Sequence, residues 1–155
     1  MTARNPPNIK TAKIISSFNV EITWGSGEKL MVDLCQVINE NPAFKPLQKP
    51  AFFNRMTTDD WGHAIEWPDG LDIGADRLYD MGRQQAGLPT VQAFNEWMKR
   101  SGLSLTTAAE AIGMTRRMIA HYRTGSRPIP RSVWLACIGW DCQQRHHSRH
   151  QQKAA

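Results

Sequence analysis

The stretch GMTRRMIAHYRTGSRP, residues 113–128, places two adjacent arginines, Arg116 and Arg117, directly after Thr115, a residue type that caps helices. A helix N-terminus carries unpaired N–H groups and partial positive charge, so its first turn favours carboxylates and mildly repels cations. Local rules of this kind are broken most often at functional sites. At roughly 100° per residue, Met118, Ile119 and Tyr122 fall on one side of the expected helix. Arg116, Arg117, Ala120, His121 and Thr124 fall on the other, with Arg123 on the flank. That second side has no carboxylate, and the small Ala120 at its centre lets a surface approach closely. Arginine's planar fork can clamp a phosphate or bond guanine O6 and N7 together, and the helix N-terminus itself favours an anion. The chemistry on offer is recognition of a polyanion; the plainer alternative is a solvated charged face.

The charge distribution agrees with the first reading. The chain of 155 residues carries a net charge of +5. Residues 1–80 hold 8 Lys/Arg against 11 Asp/Glu, net −3, whereas residues 81–155 hold 11 Lys/Arg against Glu96, Glu110 and Asp141, net +8. The basic half is expected to meet nucleic acid ahead of an acidic membrane surface, because no basic amphipathic helix with a broad apolar face is evident. No apolar run at the N-terminus reads as a signal peptide, and the longest nearly apolar stretch, VWLACIGW at 133–140, is too short to span a bilayer. Cys35, Cys137 and Cys142 form no regular framework, so free thiols in a reducing, cytoplasmic setting are expected.

Two kinds of element must position these residues, giving an α+β fold class. AKIIS (12–16), NVEITW (19–24) and KLMVDL (29–34) read as a meander of short strands, the last two joined by the tight-turn composition GSGE. LCQVINENPAF reads as helical turns stopped before Pro42. FFNRMTT and HAIEW read as a further pair, and WPDGLDIGAD as turn-rich before DRLYDM. The α+β module is assigned to 1–81 and a Gly, Pro and Gln-rich linker to 82–90. Beyond it the apolar period lengthens: Val91, Phe94, Trp97 and Met98 form one stripe of a helix ending at Gly102. Ser104 caps a second helix that stops at Gly113, Thr115 caps a third that stops at Gly125, and Pro130 opens a fourth. This helical domain is assigned to 91–145, with a flexible tail at 146–155 expected to fray.

On these residues, SLTTAAEAIGMTRRMIAHYRTGSRPIP resembles the helix-turn-helix of the phage-repressor-like (Cro and Xre type) family. Ala109 stands at the small position between the helices, Gly113 at the turn, and Met114 and Ile119 at buried apolar sites. Thr115 stands at the cap, Tyr122 at the aromatic site and Gly125 at the closing glycine. The resemblance covers about residues 91–140 and implies a sequence-specific, double-stranded DNA-binding transcriptional regulator; a homodimer on paired half-sites is expected, since one such module contacts few base pairs and affinity gains from two. The family's base-reading positions fall on Thr115, Arg116, Arg117, Ala120 and His121, and its phosphate contacts near Ser104, Thr106, Arg123, Ser126 and Arg127. Many relatives hold a phosphate with Gln where this chain has Leu105, leaving Ser104, Thr106 or Thr107 as substitutes. The first half, through VEITWGSGEKLMVDL, AFFNRMTTDDWGHAIEWPDGLDI and DRLY, resembles a small bacterial domain of unknown function with a W-P-[DN]-G-x-D motif. Its members are often encoded near small toxin-like genes, so an antitoxin-like protein partner for the acidic half is the alternative reading.

Other constellations are declined. Cys137 and Cys142 with His146, His147 and His150 are metal-capable, but the cysteine spacing fits no common zinc pattern and the histidines lie on the expected tail. Asp69, Asp72 and Asp76 lack the ordered spacing of a calcium loop and read as turn formers. His63 has no serine or cysteine nucleophile motif beside it, so no enzyme, cofactor or metal is expected. The tryptophans at 24, 61, 67, 97, 134 and 140 read as core and not as base-stacking platforms.

Overall fold

In the second strand of the first sheet, Val20, Ile22 and Trp24 are buried and Asn19, Glu21 and Thr23 are half-buried, the period-two pattern of a strand with one face on a core. The computed structural model describes residues 7–153, with side chains through Gln151. Strands β1 (Ile9–Ser16), β2 (Asn19–Trp24) and β3 (Lys29–Asp33) form an antiparallel sheet in that order, with Val20 opposite Val32 and Ile22 opposite Leu30. Helix α1 (Cys35–Glu40) ends at Asn41, whose extended backbone is what a following Pro42 demands. A 3-10 stretch (Pro42–Gln48) and the single turn α2 (Pro50–Phe53) follow. Then β4 (Thr57–Thr58), β5 (Ala64–Trp67) and β6 (Leu71–Gly74) form a second antiparallel sheet, and α3 (Ala75–Gln85) packs on β3. The α+β class expected from the sequence is the class observed.

Three details depart from the sequence reading. The stretch read as turn-rich, WPDGLDIGAD, contains a strand: Trp67 pairs with Leu71 and Ile65 with Ile73 across a turn in which Asp69 and Gly70 both take positive φ, 67° and 74°. The stretch read as a linker, 82–90, is helical through Gln85. Gly82 is no breaker there: a Cβ on it would lie 3.0 Å from Leu30 Cβ and 3.2 Å from Val32 Cγ2, so a glycine lets α3 lie close on the sheet. Arg83 beside it is 3% exposed and pairs through Nη1 with Glu28 Oε1 at 2.8 Å, while the Tyr79 hydroxyl donates to Glu28 Oε2 at 2.8 Å. Third, Trp61 is 75% exposed and belongs to no core, unlike the buried Trp24, Trp67 and Trp97.

The chain divides into two compact units between Ala86 and Gly87. In the second, α4 (Val91–Arg100), α5 (Leu105–Ile112), α6 (Arg116–Thr124) and α7 (Arg131–Lys153) surround one apolar cluster. Phe94, Trp97, Ala108, Ile119, Tyr122, Ile129 and Cys137 form its buried centre, with edge-on ring contacts between Phe94 and Tyr122 and between Trp97 and Trp140. Asp141 ties α7 to α4, accepting from Trp97 Nε1 at 3.1 Å and from Arg100 Nη2 at 3.0 Å. The segment expected to fray, 146–155, is helical as far as Lys153 because α7 runs on past its packed first half; residues 154–155 lie outside the described residues. Among the described residues no helix is long and apolar enough to cross a membrane.

Candidate nucleic-acid interface

Helices α5 and α6 are joined by Gly113, Met114 and Thr115 only, and local chemistry fixes both ends of that joint. Gly113 takes the left-handed conformation (φ 69°, ψ 40°), and Met114 N–H bonds back to the Ala109 carbonyl at 2.9 Å, satisfying the helix end. Thr115 Oγ1 then accepts from Met118 N at 3.2 Å and starts α6. Buried Ala109 lets the two helices approach, and buried Ile119 and Tyr122 bind α6 to the core. Gly125 (φ 78°) closes α6 in the same left-handed manner.

The opposite side of α6 is open. Thr115, Arg116, Arg117, Arg123 and Thr124 are exposed and Ala120 is half-buried. Among the described residues, Arg116, Arg117, Arg123 and Arg127 enter no ion pair. The three carboxylates of this half lie elsewhere: Asp141 is held by Trp97 and Arg100, Glu96 accepts from Gln92, and Glu110 is on the exposed side of α5. Arg127 sits back over the helix with Nη1 3.8 Å from Met118 Sδ. Burial raises the pKa of the Tyr122 hydroxyl, an effect that the Arg127 guanidinium partly offsets. The repulsion of Arg116 and Arg117 from the helix dipole is thus uncompensated within the described residues.

Not every residue singled out from the sequence faces outward. His121 Nδ1 lies 2.7 Å from Ser126 Oγ, and its Nε2 is covered and makes no hydrogen bond. The cause is the chain reversal at Gly125, which swings Ser126 back so that its own N–H meets the His121 carbonyl at 3.1 Å. Ser104 and Thr107 are occupied as a reciprocal capping box at the start of α5, whereas Thr106 is exposed and its hydroxyl makes no hydrogen bond among the described residues. A groove of about 690 Å³ runs between α4, the start of α5 and α6, lined among others by Asn95, Lys99, Leu105, Ala120, Arg123 and Thr124. Lys99 is an addition to the set found from sequence. Its position in the last turn of α4 reads as an ordinary helix-dipole cation, and only the packing of α4 beside α6 puts it in the groove that Arg123 also lines.

Residues 9–84 match the family described as "Protein of unknown function (DUF2442)". The crystal structure of a "Putative DNA Binding Protein" from Nitrosomonas europaea is 38% identical to this chain, covers 91% of it and 90% of its own length, and superposes with a TM-score of 0.69. The protein belongs to the same family as that chain. Its first unit is a DUF2442 domain of unknown function, and the likeness extends past that domain through most of the helical unit. No curated protein matches the chain.

Proposed function

We propose that the protein is a sequence-specific double-stranded DNA-binding protein that lays α6 in the major groove and acts as a transcriptional regulator. In this reading α5 and α6 are a helix-turn-helix of the phage-repressor-like type. The observation that carries it is the pair Arg116 and Arg117, exposed and without an ion pair among the described residues at the end of a helix that repels them. Thr115, Arg116, Arg117 and Ala120 face base edges, and Arg123, Arg127, Thr106 and Lys99 face phosphate oxygens along the flanks. His121, held by Ser126, supports the end of α6 instead of reaching a base. Ser104 and Ser126 contribute through the caps they form. The Nitrosomonas relative supports the reading, being described as a putative DNA-binding protein. One such helix contacts few base pairs, so the functional species is a homodimer on paired half-sites. The protein is a binder and not an enzyme, with no cofactor.

Selection of duplexes from a random pool, followed by titration of wild type, Arg117→Ala and Arg127→Ala, tests the proposal. Arg117→Ala costs about 1–3 kcal/mol on the selected site and relaxes one base position. Failure of the wild type to retain any duplex at low salt refutes it. A second reading, in which the acidic DUF2442 domain docks a protein partner, has one observation in its favour: Trp61, exposed beside Asp59 and Asp60. Co-expression with the product of an adjacent gene, followed by co-purification with wild type and Trp61→Ala, tests that docking role.

A further inference from the structure

The helical course of α7 changes the standing of the histidines beyond residue 141. The first half of α7 is anchored through Val133, Cys137 and Asp141, but every residue from Cys142 to Gln151 is exposed. Short helical stretches without packing are marginal in water, so this half gains from anything that clamps successive turns. His146 and His150 are one turn apart on one face, and their Nε2 atoms lie 3.1 Å from each other with the rings edge to face. Two imidazole nitrogens at that distance cannot both carry a proton directed at the other, so at least one presents a lone pair.

We propose that His146 and His150 form a binding site for a divalent transition-metal cation of the imidazole-preferring class: nickel, copper or zinc. Imidazole nitrogens lie about 2.0–2.1 Å from such an ion, which sets two neighbouring ligand atoms about 3.0–3.4 Å apart, the spacing already present. Helical i, i+4 histidines present their rings to one ion in this manner. Among the described residues no third His, Cys, Asp or Glu completes a cluster with them, so water fills the remaining positions. Arg145 and Arg149 on the neighbouring stripes and the lack of a carboxylate disfavour magnesium and calcium, which require oxygen ligands. The bound ion bridges two turns and stabilises the unpacked half of α7. The proposal stands independently of DNA binding.

Nickel chloride titrated into the full-length protein in a non-coordinating buffer, followed by calorimetry and by ellipticity at 222 nm, is the test. One ion binds per chain and helix content rises. His146→Ala and His150→Ala each weaken binding by about tenfold or more, no less than the loss seen when a mere supporting residue of a metal site is removed. His147→Ala, about 100° round the helix from His146, and Cys142→Ser bind nickel as the wild type does. Equal nickel affinity in wild type and His150→Ala overturns the proposal. So does loss of binding in Cys142→Ser, which would mean that the thiolate and not the imidazole pair holds the ion.

Discussion

Replacing Arg127 by Ala separates the two kinds of contact assigned to the α6 surface. Of its four arginines without an ion pair, Arg116 and Arg117 lie at the helix start and are assigned to bases, whereas Arg123 and Arg127 lie at and beyond its end and are assigned to phosphates. In the proposed two-protomer complex these last two, together with Lys99, neutralise about six phosphates, and each released counterion set contributes about 0.9 to the salt slope, giving a slope near −5.4 from these side chains. Raising the salt from about 50 to 200 mM then weakens binding about 1,800-fold. Arg127→Ala in both protomers leaves about four phosphates, a slope near −3.6 and a loss of only about 150-fold over the same range. Arg117→Ala behaves differently: it keeps the slope and lowers affinity for the selected site about 5- to 160-fold at every salt concentration, the equivalent of about 1–3 kcal/mol. Fluorescence anisotropy with a labelled duplex, measured across that salt range on selected and scrambled sequences, resolves the three lines. Parallel salt lines for wild type and Arg127→Ala would refute the phosphate assignment. An equal loss on selected and scrambled duplexes for Arg117→Ala would refute the base assignment.

Gly113→Ala forces an alanine into left-handed backbone with open space around its Cβ, so the cost is backbone strain alone, about 1–2 kcal/mol in urea unfolding. Glu28→Ala removes a carboxylate that bonds both the buried Arg83 guanidinium and the Tyr79 hydroxyl, and destabilises the DUF2442 domain by about 1–3 kcal/mol in the same assay; no measurable loss would contradict the burial argument. Burial, reinforced by Asp141, pushes the Cys137 thiol up to about 12 from an ordinary 9.0. The folded state therefore keeps its proton above pH 9 while the unfolded chain loses it, so this stability contribution is intact below pH 9 and falls by about 1.4 kcal/mol per pH unit from there towards 12. Correspondingly, a thiol reagent at pH 8 modifies exposed Cys142 first, half-buried Cys35 more slowly and Cys137 only on unfolding; rapid reaction of all three thiols in the folded protein would contradict this.

What was legible in the sequence is what short-range chemistry decides. Thr90, Ser104 and Thr115 cap helices with their own oxygens, and Gly102, Gly113 and Gly125 all take positive φ, so the boundaries in the second unit follow from residue type within a few positions. The errors in the first unit have non-local causes. Strand β6 offers only Leu71, Asp72 and Ile73 as alternation, too little to outweigh the surrounding glycines and aspartates; its partner Trp67 is what makes it a strand. Gly82 has the composition of a linker and the function of a packing contact, visible only once Leu30 and Val32 are opposite it. The exposed position of Trp61 is equally silent in the sequence, since a tryptophan's size argues for burial wherever it stands.

The same distinction explains which parts of the α6 surface could be read in advance. A helical wheel assigns sides correctly: Ile119 and Tyr122 are inward, and Arg116 and Arg117 outward. It has no knowledge of the rest of the chain, and so it could not see Ser126 return to engage His121, nor α4 bring Lys99 into the groove that Arg123 also lines. The two arginines survive that blindness because, among the described residues, no hydrogen bond or ion pair engages them. Residues in the first turn of a helix lie away from the reversal that ends it, whereas residues in its last turn must share space with that reversal. Guanidinium groups left exposed in that early position, against the dipole, are therefore the residues of this surface whose predicted orientation and observed orientation had most reason to agree.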